Sequence, residues 1–260
     1  MSRYFFKLAY NGGKYHGWQM QSNAPTIQQV LGEAVFHILG QKTILTGCGR
    51  TDAGVHARQF YVHADLQYIS PEDTRDVVYR LNRYLPEDIV IYELLAVDAR
   101  AHARFDAISR TYEYVIIREK NPFLPGLAYC LFDPLDIGAM NLGADILLEY
   151  EDFTSFSKVH TQVKTNICAI RKAAWKESGD MLVFTITADR FLRNMVRAVV
   201  GTLINIGRRK TTLDELRRII EAKDRSKAGF SAPARGLYLT FVEYPSGIFE
   251  ENQVKRNSFQ

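Results

Sequence analysis

One order of elements occurs twice along the chain, and it narrows the accessible folds more than any single motif does. In the first half, Arg3–Tyr10 (RYFFKLAY) is an aromatic-rich apolar run that stops at Asn11-Gly12-Gly13, as a strand stops at a turn. After Pro25, the residues Ile27, Val30, Leu31, Ala34, Val35, Ile38 and Leu39 follow the spacing of one helix face, and Gly40 stands at the stop position. Thr43–Cys48 and Gln59–Leu66 read as strands around a polar, glycine-containing loop. Ser70-Pro71 opens a second helix, with a capping serine and a proline at the first helical position, and the helix runs to about Tyr84. Ile89–Val97 (IVIYELLAV) is a buried strand. The order is β-α-β-β-α-β.

The second half repeats it. Thr111–Arg118 is a strand, and Asp136–Tyr150 a helix with Ile137, Met140, Leu142, Ala144, Ile146 and Leu147 as its apolar positions. Ile167–Lys176 and Met181–Ala188 are strands joined by a Ser178-Gly179-Asp180 turn. Phe191–Ile206 is a helix, Leu213–Ala222 an additional one, and Gly236–Glu243 the closing strand. The expected fold is therefore α+β: two ferredoxin-like halves with mainly antiparallel sheets and a cleft between them. Boundaries fall at residues 1–108, 109–246 and a polar tail, 247–260. Only the order of elements repeats, not the sequence itself.

Composition excludes several classes. Apolar residues make up 47% of the 260 and charged residues 24%, which fits a packed core and excludes a collagen-like or wholly disordered chain. The best uncharged run with a helical pattern, Ala198–Gly207, is half the length of a spanning helix, about 20 residues. Lys7 interrupts the N-terminal apolar stretch, so a signal peptide is not expected. Cys48, Cys130 and Cys168 are odd in number and widely spaced, which argues against a disulfide framework or a zinc knuckle and for a reducing cytoplasm. His16, His37, His56, His63, His102 and His160 form no metal-binding motif. No cofactor, metal or membrane partner is expected.

Charge is distributed unevenly. The chain carries 33 Lys+Arg against 29 Asp+Glu, a net +4, whereas Asp189–Lys227 alone holds 11 basic and 5 acidic residues, a local +6. Phe153–Lys176 holds Lys158, Lys164, Arg171, Lys172 and Lys176 and no acid. Concentrated positive charge suits a polyanion, although a solvated basic face gives the same pattern.

Three constellations could carry chemistry. Gly47–Arg58 (GCGRTDAGVHAR) has three glycines in eight positions, with Asp52 between Arg50 and Arg58. Guanidinium groups beside a carboxylate favour the anion, the form a nucleophile needs. An Asx-turn, with Asp52 bonding its own backbone, explains the same spacing. In Asp189–Arg197 (DRFLRNMVR), Arg190, Arg193 and Arg197 would share one helix face and would meet either phosphates or structural acids such as Glu215. In Arg104–Tyr114, Tyr112 and Tyr114 share a strand face near Arg110; an aromatic there could stack on a nucleobase, with sheet packing the simpler reading for Tyr114.

At these residues the sequence resembles the bacterial tRNA pseudouridine synthase A family over nearly its whole length. GRTDAGVHA at Gly49–Ala57 resembles the family's catalytic loop, and HARFDAISRTYEY at His102–Tyr114 its second motif. DFTSFSK at Asp152–Lys158, ADRFLRNMVRAVVG at Ala188–Gly201 and SAPARGLYL at Ser231–Leu239 are similar to later blocks. The chain departs from the family pattern at Ala101 and over Arg58-Gln59-Phe60. The resemblance implies isomerisation of uridine to pseudouridine at about positions 38, 39 and 40 of the tRNA anticodon stem-loop, after the base is flipped out. It implies a homodimer that binds tRNA across both subunits, in the cytoplasm. Asp52 would be the catalytic aspartate, Tyr112 would stack on the target base, Arg197 would pair with Asp52, and Arg58 would help extrude the uridine. Arg50, Arg110, Arg190 and Arg193 would bind substrate. The carboxylate would attack C6 of the base or C1′ of the sugar, or assist sugar deprotonation. A tRNA-binding module or chaperone without chemistry is the alternative; a metal-dependent nuclease would need clustered carboxylates, and the motif has one.

Overall fold

In the computed structural model of the chain, residues 1–158 and 165–249 are described. His160, Lys164 and residues 250–260 of the expected tail lie outside them. The elements in chain order are β1 (Ser2–Tyr10), α1 (Ile27–Leu39), β2 (Thr46–Gly47), β3 (His56–Leu66), α2 (Thr74–Tyr84) and β4 (Ile89–Val97), then β5 (Ser109–Ile117), β6 (Tyr129–Cys130), α3 (Ile137–Ile146), β7 (Ile170–Ser178), β8 (Met181–Ala188), α4 (Met195–Gly207), α5 (Leu213–Glu221) and β9 (Leu237–Glu243). The described strand pairs are antiparallel except for β6, which runs parallel to β5. This is an α+β chain with a mainly antiparallel sheet. None of the described helices is long and apolar enough to cross a membrane. The chain divides into two compact units, Met1–Ile108 with Leu239 onward, and Ser109–Tyr238.

In the first unit β1 is central, pairing with β3 from Ser2↔Leu66 to Tyr10↔Ala57 and with β4 from Arg3↔Val97 to Tyr10↔Ile89. Side chains alternate across a strand. Tyr4, Phe6, Leu8 and Tyr10 therefore share one face, each at most 4% exposed, and the helices add Ile27, Leu31, Val35, Val77 and Leu81 to the same buried set. The opposite face carries Phe5, whose ring centroid lies 5.7 Å from Tyr244 and 5.9 Å from Phe249, so the segment after β9 covers it. The helix α1 starts where Thr26 caps the Gln29 amide and stops at Gly40, whose φ of 68° needs no Cβ.

In the second unit the strand order is β5-β8-β7. β8 pairs with β5 from Arg110↔Ala188 to Ile117↔Met181 and with β7 from Ile170↔Ala188 to Ser178↔Met181. Its α4 is buried on almost every side, through Met195, Val199, Leu203 and Ile206 among others. A helix apolar all round belongs in a core, and α3 packs beside it.

Several boundaries differ from the sequence expectation. The second helix begins at Thr74, not after Ser70. The Ser70 hydroxyl donates to Asp73 Oδ2 at 2.7 Å and the Asp73 amide to the Ser70 carbonyl at 3.0 Å, which makes this stretch a turn. The expected strand Thr43–Cys48 is reduced to Thr46–Gly47. The helix expected from Phe191 begins at Met195, because Asn194 adopts a left-handed conformation, φ 66°, that no right-handed helix contains. The short β6 lies in the loop after β5, between Pro125 and Pro134, where no strand is expected from the sequence.

Two glycines set up a stability test. A Cβ on Gly201, inside α4, would sit 1.7 Å from the Phe230 carbonyl oxygen, whereas one on Gly138, in α3, would meet only Asp136 Oδ1 at 3.5 Å. Gly201→Ala is expected to destabilise the chain by about 1–3 kcal/mol through overpacking. Gly138→Ala is expected to be neutral or to stabilise by about 0.5–1 kcal/mol by relieving helix entropy. Urea midpoints of the two variants check both signs.

Candidate active site

Asp52 lies half-buried in the loop between β2 and β3. A second loop, Asn11–Gln19, grips it through both backbone and side chains. The Trp18 amide donates to the Thr51 carbonyl at 3.2 Å, and the Gly54 amide to the Tyr15 carbonyl at 3.1 Å. The Tyr10 and Thr51 hydroxyls are 2.9 Å apart, and the Gly12 amide donates to Nδ1 of buried His56 at 3.1 Å. That nitrogen is an acceptor, so the neutral ring carries its hydrogen on Nε2. Contact is too close for side chains: a Cβ on Gly12 would lie 2.0 Å from the Val55 carbonyl oxygen, and one on Gly17, at φ +90°, 2.4 Å from that of Thr51.

Within the loop the Val55 amide donates to the Asp52 carbonyl at 3.2 Å, and Gly54 takes φ 77°. This is a backbone turn. The amide that an Asx-turn would use, that of Gly54, is bonded to Tyr15 instead. The base of the loop is aromatic. Trp18 and Phe60 have ring centroids 4.6 Å apart, and a Cβ on Gly47 would lie 2.8 Å from atoms of both rings. Tyr15 is itself anchored by its hydroxyl, which donates to Asp88 Oδ1 at 2.6 Å. Burial, with that bond, raises the pKa of this phenol. Arg50 and Arg58 are exposed, one in the Asp52 loop and the other on β3 just beyond it.

The second unit gathers Arg110, Tyr112, Arg190, Arg193 and Arg197 around the end of β8 and the start of α4. Arg110 Nη1 donates to the Asp189 carbonyl at 2.8 Å. Half-buried Tyr112 meets Phe191 edge to face, with centroids 5.1 Å apart and planes at 87°. Tyr114, fully buried, donates its hydroxyl to the Pro233 carbonyl at 2.8 Å, and burial raises its pKa, as befits a core residue. The three arginines do not lie on one helix face: Arg190 and Arg193 precede α4, and only Arg197 lies within it. Asp189 Oδ1 accepts from the Ala169 and Arg190 amides at 2.8 and 2.7 Å, fixing the turn. The Arg193 carbonyl accepts the Lys158 amide at 3.0 Å. Glu215, an acid that could have met the arginines, caps α5, accepting the Thr212 amide at 2.7 Å.

Arg197 is fastened by a strap, residues 228–232. Its Nε donates to the Ala232 carbonyl at 2.7 Å, and the Ala232 amide returns a bond to the Arg197 carbonyl at 2.9 Å. The Gly229 amide donates to the Thr202 hydroxyl at 2.9 Å, and Ser231 accepts from Asn194 at 2.7 Å and Arg225 at 2.9 Å. Sequence reasoning missed this support and that of Tyr10, Gly12, Gly17 and Trp18. Thr202, a polar residue inside an apolar helix, was the available signal. The arrangement offers a carboxylate on a closely packed loop in one unit, and an aromatic ring among guanidinium groups in the other. Among the described residues no group of three His, Cys, Asp or Glu side chains is placed to hold a metal.

If the Asn11–Gln19 loop seats the Asp52 loop, Gly17→Ala must push Thr51 away. Hydrogen exchange at the Gly54 and Trp18 amides is then expected to accelerate at least tenfold, with the β1–β3 amides unchanged. Unaltered protection would show that the contact does not hold the loop.

Residues 150–245 match a family model described as tRNA pseudouridine synthase. A protein of Porphyromonas gingivalis named tRNA pseudouridine synthase A is 53% identical over 252 residues, 96% of this chain and 100% of that protein. Proteins of the same name from Bacteroides fragilis and Parabacteroides distasonis are 51% and 50% identical, each over 96% of this chain and 99% and 98% of their own.

Proposed function

The chain belongs to the tRNA pseudouridine synthase A family and is an isomerase that forms pseudouridine in tRNA; from that premise we propose which residues act, and on which uridines. The observation that supports the assignment is the seating of the Asp52 loop: Gly12 and Gly17 bring a second loop's backbone close against Val55 and Thr51.

Isomerisation breaks the N1–C1′ bond of uridine and forms a C5–C1′ bond. The hydrogen on C5 leaves to solvent and N1 takes up a proton, so atoms and charge balance without oxidation or hydrolysis. One fixed carboxylate is enough for this, and we assign that role to Asp52. Tyr112 stacks on the target base, its ring held from one edge by Phe191. Arg197 steadies the Asp52 anion, as the family resemblance implies, and Arg58 takes the place of the extruded base. Arg50, Arg110, Arg190 and Arg193 meet the surrounding phosphates. The substrate uridines are those at about positions 38 to 40 of the anticodon arm, where a stem base must leave its stack, at about a few kcal/mol, before reaction.

The finer fold reading belongs to the same proposal: two ferredoxin-like halves, 1–108 and 109–246, with a cleft between them and a tail from 247. Its support is the strand order, β4-β1-β3 with β2 beside β3 in one unit and β5-β8-β7 in the other. A cytoplasmic homodimer that carries tRNA across both subunits completes the reading.

Two substitutions test the assignment. Asp52→Asn is expected to abolish tritium release from tRNA labelled with [5-³H]uridine while leaving tRNA affinity within about twofold, because phosphate contacts dominate binding. Release near the parent rate would overturn the role of Asp52. Arg197→Ala is expected to lower the single-turnover rate by about a hundredfold, the scale of a mispositioned catalytic group, with partial recovery in Arg197→Lys. A parent-like rate in Arg197→Ala would remove it from the site.

A further inference from the structure

Two groups stand out among the basic residues between Arg208 and Lys227. Arg208 pairs with Asp133 at 2.8 Å, Arg209 with Asp136 at 3.6 Å and Lys223 with Asp152 at 2.9 Å, while Arg217 chelates Glu149 with two of its nitrogens. Lys210, Arg218 and Lys227, interleaved with these in sequence, form no ion pair with any described residue. All three line one open groove of about 420 Å³, together with Thr211, Glu215, Ile219 and Ala222. Glu215 is the acid in that lining, and its carboxylate is engaged by the Thr212 amide and hydroxyl at the start of α5. Those bonds, with the nearby charge of Arg218, hold its pKa below the usual carboxylate range.

The backbone places these cations deliberately. Arg209 adopts φ 59°, an unusual conformation for a side-chain-bearing residue. It turns the chain between α4 and α5, and the Lys210 amide donates back to the Asn205 carbonyl at 2.8 Å. Asp224 accepts the amide and hydroxyl of Ser226 at 2.8 and 2.7 Å, which fixes the short turn that precedes Lys227. Like charges brought together at fixed points repel one another unless an anion joins them. The lining carries three cations for phosphate oxygens and no aromatic side chain on which a base could stack.

We propose that this groove is a docking surface for the sugar–phosphate backbone of the tRNA substrate, separate from the residues that handle the target uridine. The proposal rests on the tRNA-modifying activity of the family. It accounts for why three basic side chains line one groove without a close ion pair, where Arg208, Arg209, Arg217 and Lys223 each have one.

The test is tRNA binding as a function of salt, with Lys210→Gln, Lys227→Gln and the triple variant including Arg218→Gln, against Lys223→Gln as a paired control. Each lost phosphate contact is expected to reduce the slope of log K against log salt by about 0.7–0.9, which at 0.1 M salt weakens binding about five- to eightfold per contact. Single-turnover tritium release at saturating enzyme should stay at the parent rate, and Lys223→Gln should leave the slope unchanged. An unchanged slope and affinity in the two lysine variants, whose exposed side chains the fold does not need, would overturn the proposal. So would a loss of turnover without a loss of affinity. Weakened binding of inorganic phosphate with parent-like tRNA binding would show a small-anion site instead, and likewise overturn it. Tritium release by the parent chain reports on the family activity separately, so the two readings fail independently.

Discussion

The candidate active site depends on a steric constraint between two loops. Gly12 and Gly17 bring the backbone of the Asn11–Gln19 segment so close to Thr51 and Val55 that no side chain fits between. Close packing of this kind has little freedom to relax. Around it, the bonds from Trp18 to Thr51, from Gly54 to Tyr15 and between Tyr10 and Thr51 fix the loop at several points on either side of Asp52. The aromatic base, Trp18 on Phe60, ties both loops to the buried face of the sheet. A carboxylate seated in this way needs no reorganisation when substrate arrives, which is where fixed electrostatic groups gain their catalytic effect.

The second unit uses polar bonds for the same end. Two of its arginines are held by main-chain carbonyls, Arg110 by Asp189 and Arg197 by Ala232. The strap 228–232 is satisfied by Thr202, Asn194 and Arg225. Buried networks of this sort rigidify a site when every member is bonded. Further along the same unit, acids neutralise some basic residues and leave others facing the groove beside α5. Charge here follows geometry more than composition: a net +4 conceals a local groove lined by three cations and one acid.

Much of the fold was legible because its signals are local. The helix α1 ran from Ile27 to its stop at Gly40 as its apolar spacing and glycine indicated, and β4 and β8 had the expected ends. The misplaced boundaries were set by interactions between residues distant in sequence, or by a single dihedral angle. The start of α4 moved because Asp189 bonds the Ala169 amide, 20 residues away, and because Asn194 turns left-handed. The GRTDAGVHA loop stood out through its glycines and flanking arginines, yet the residues that seat it did not. Asn11-Gly12-Gly13 reads as an ordinary turn, and nothing near it in sequence reports that Val55 will press against Gly12. Likewise the basic excess of Asp189–Lys227 was visible, while its division into paired and uncompensated cations required the acids of α3 and its neighbours to be placed.

Positioning of Asp52 by its neighbouring loop is tested most directly by the single-turnover rate of Gly17→Ala with saturating enzyme. The substitution leaves every side chain in the site intact and moves only the seat. Displacement by about 1 Å can cost about a hundredfold in rate. A rate reduced by about that factor, with tRNA affinity unchanged, is the predicted result. A parent-like rate, in a variant whose Thr51 and Gly54 contacts are demonstrably disturbed, would contradict it.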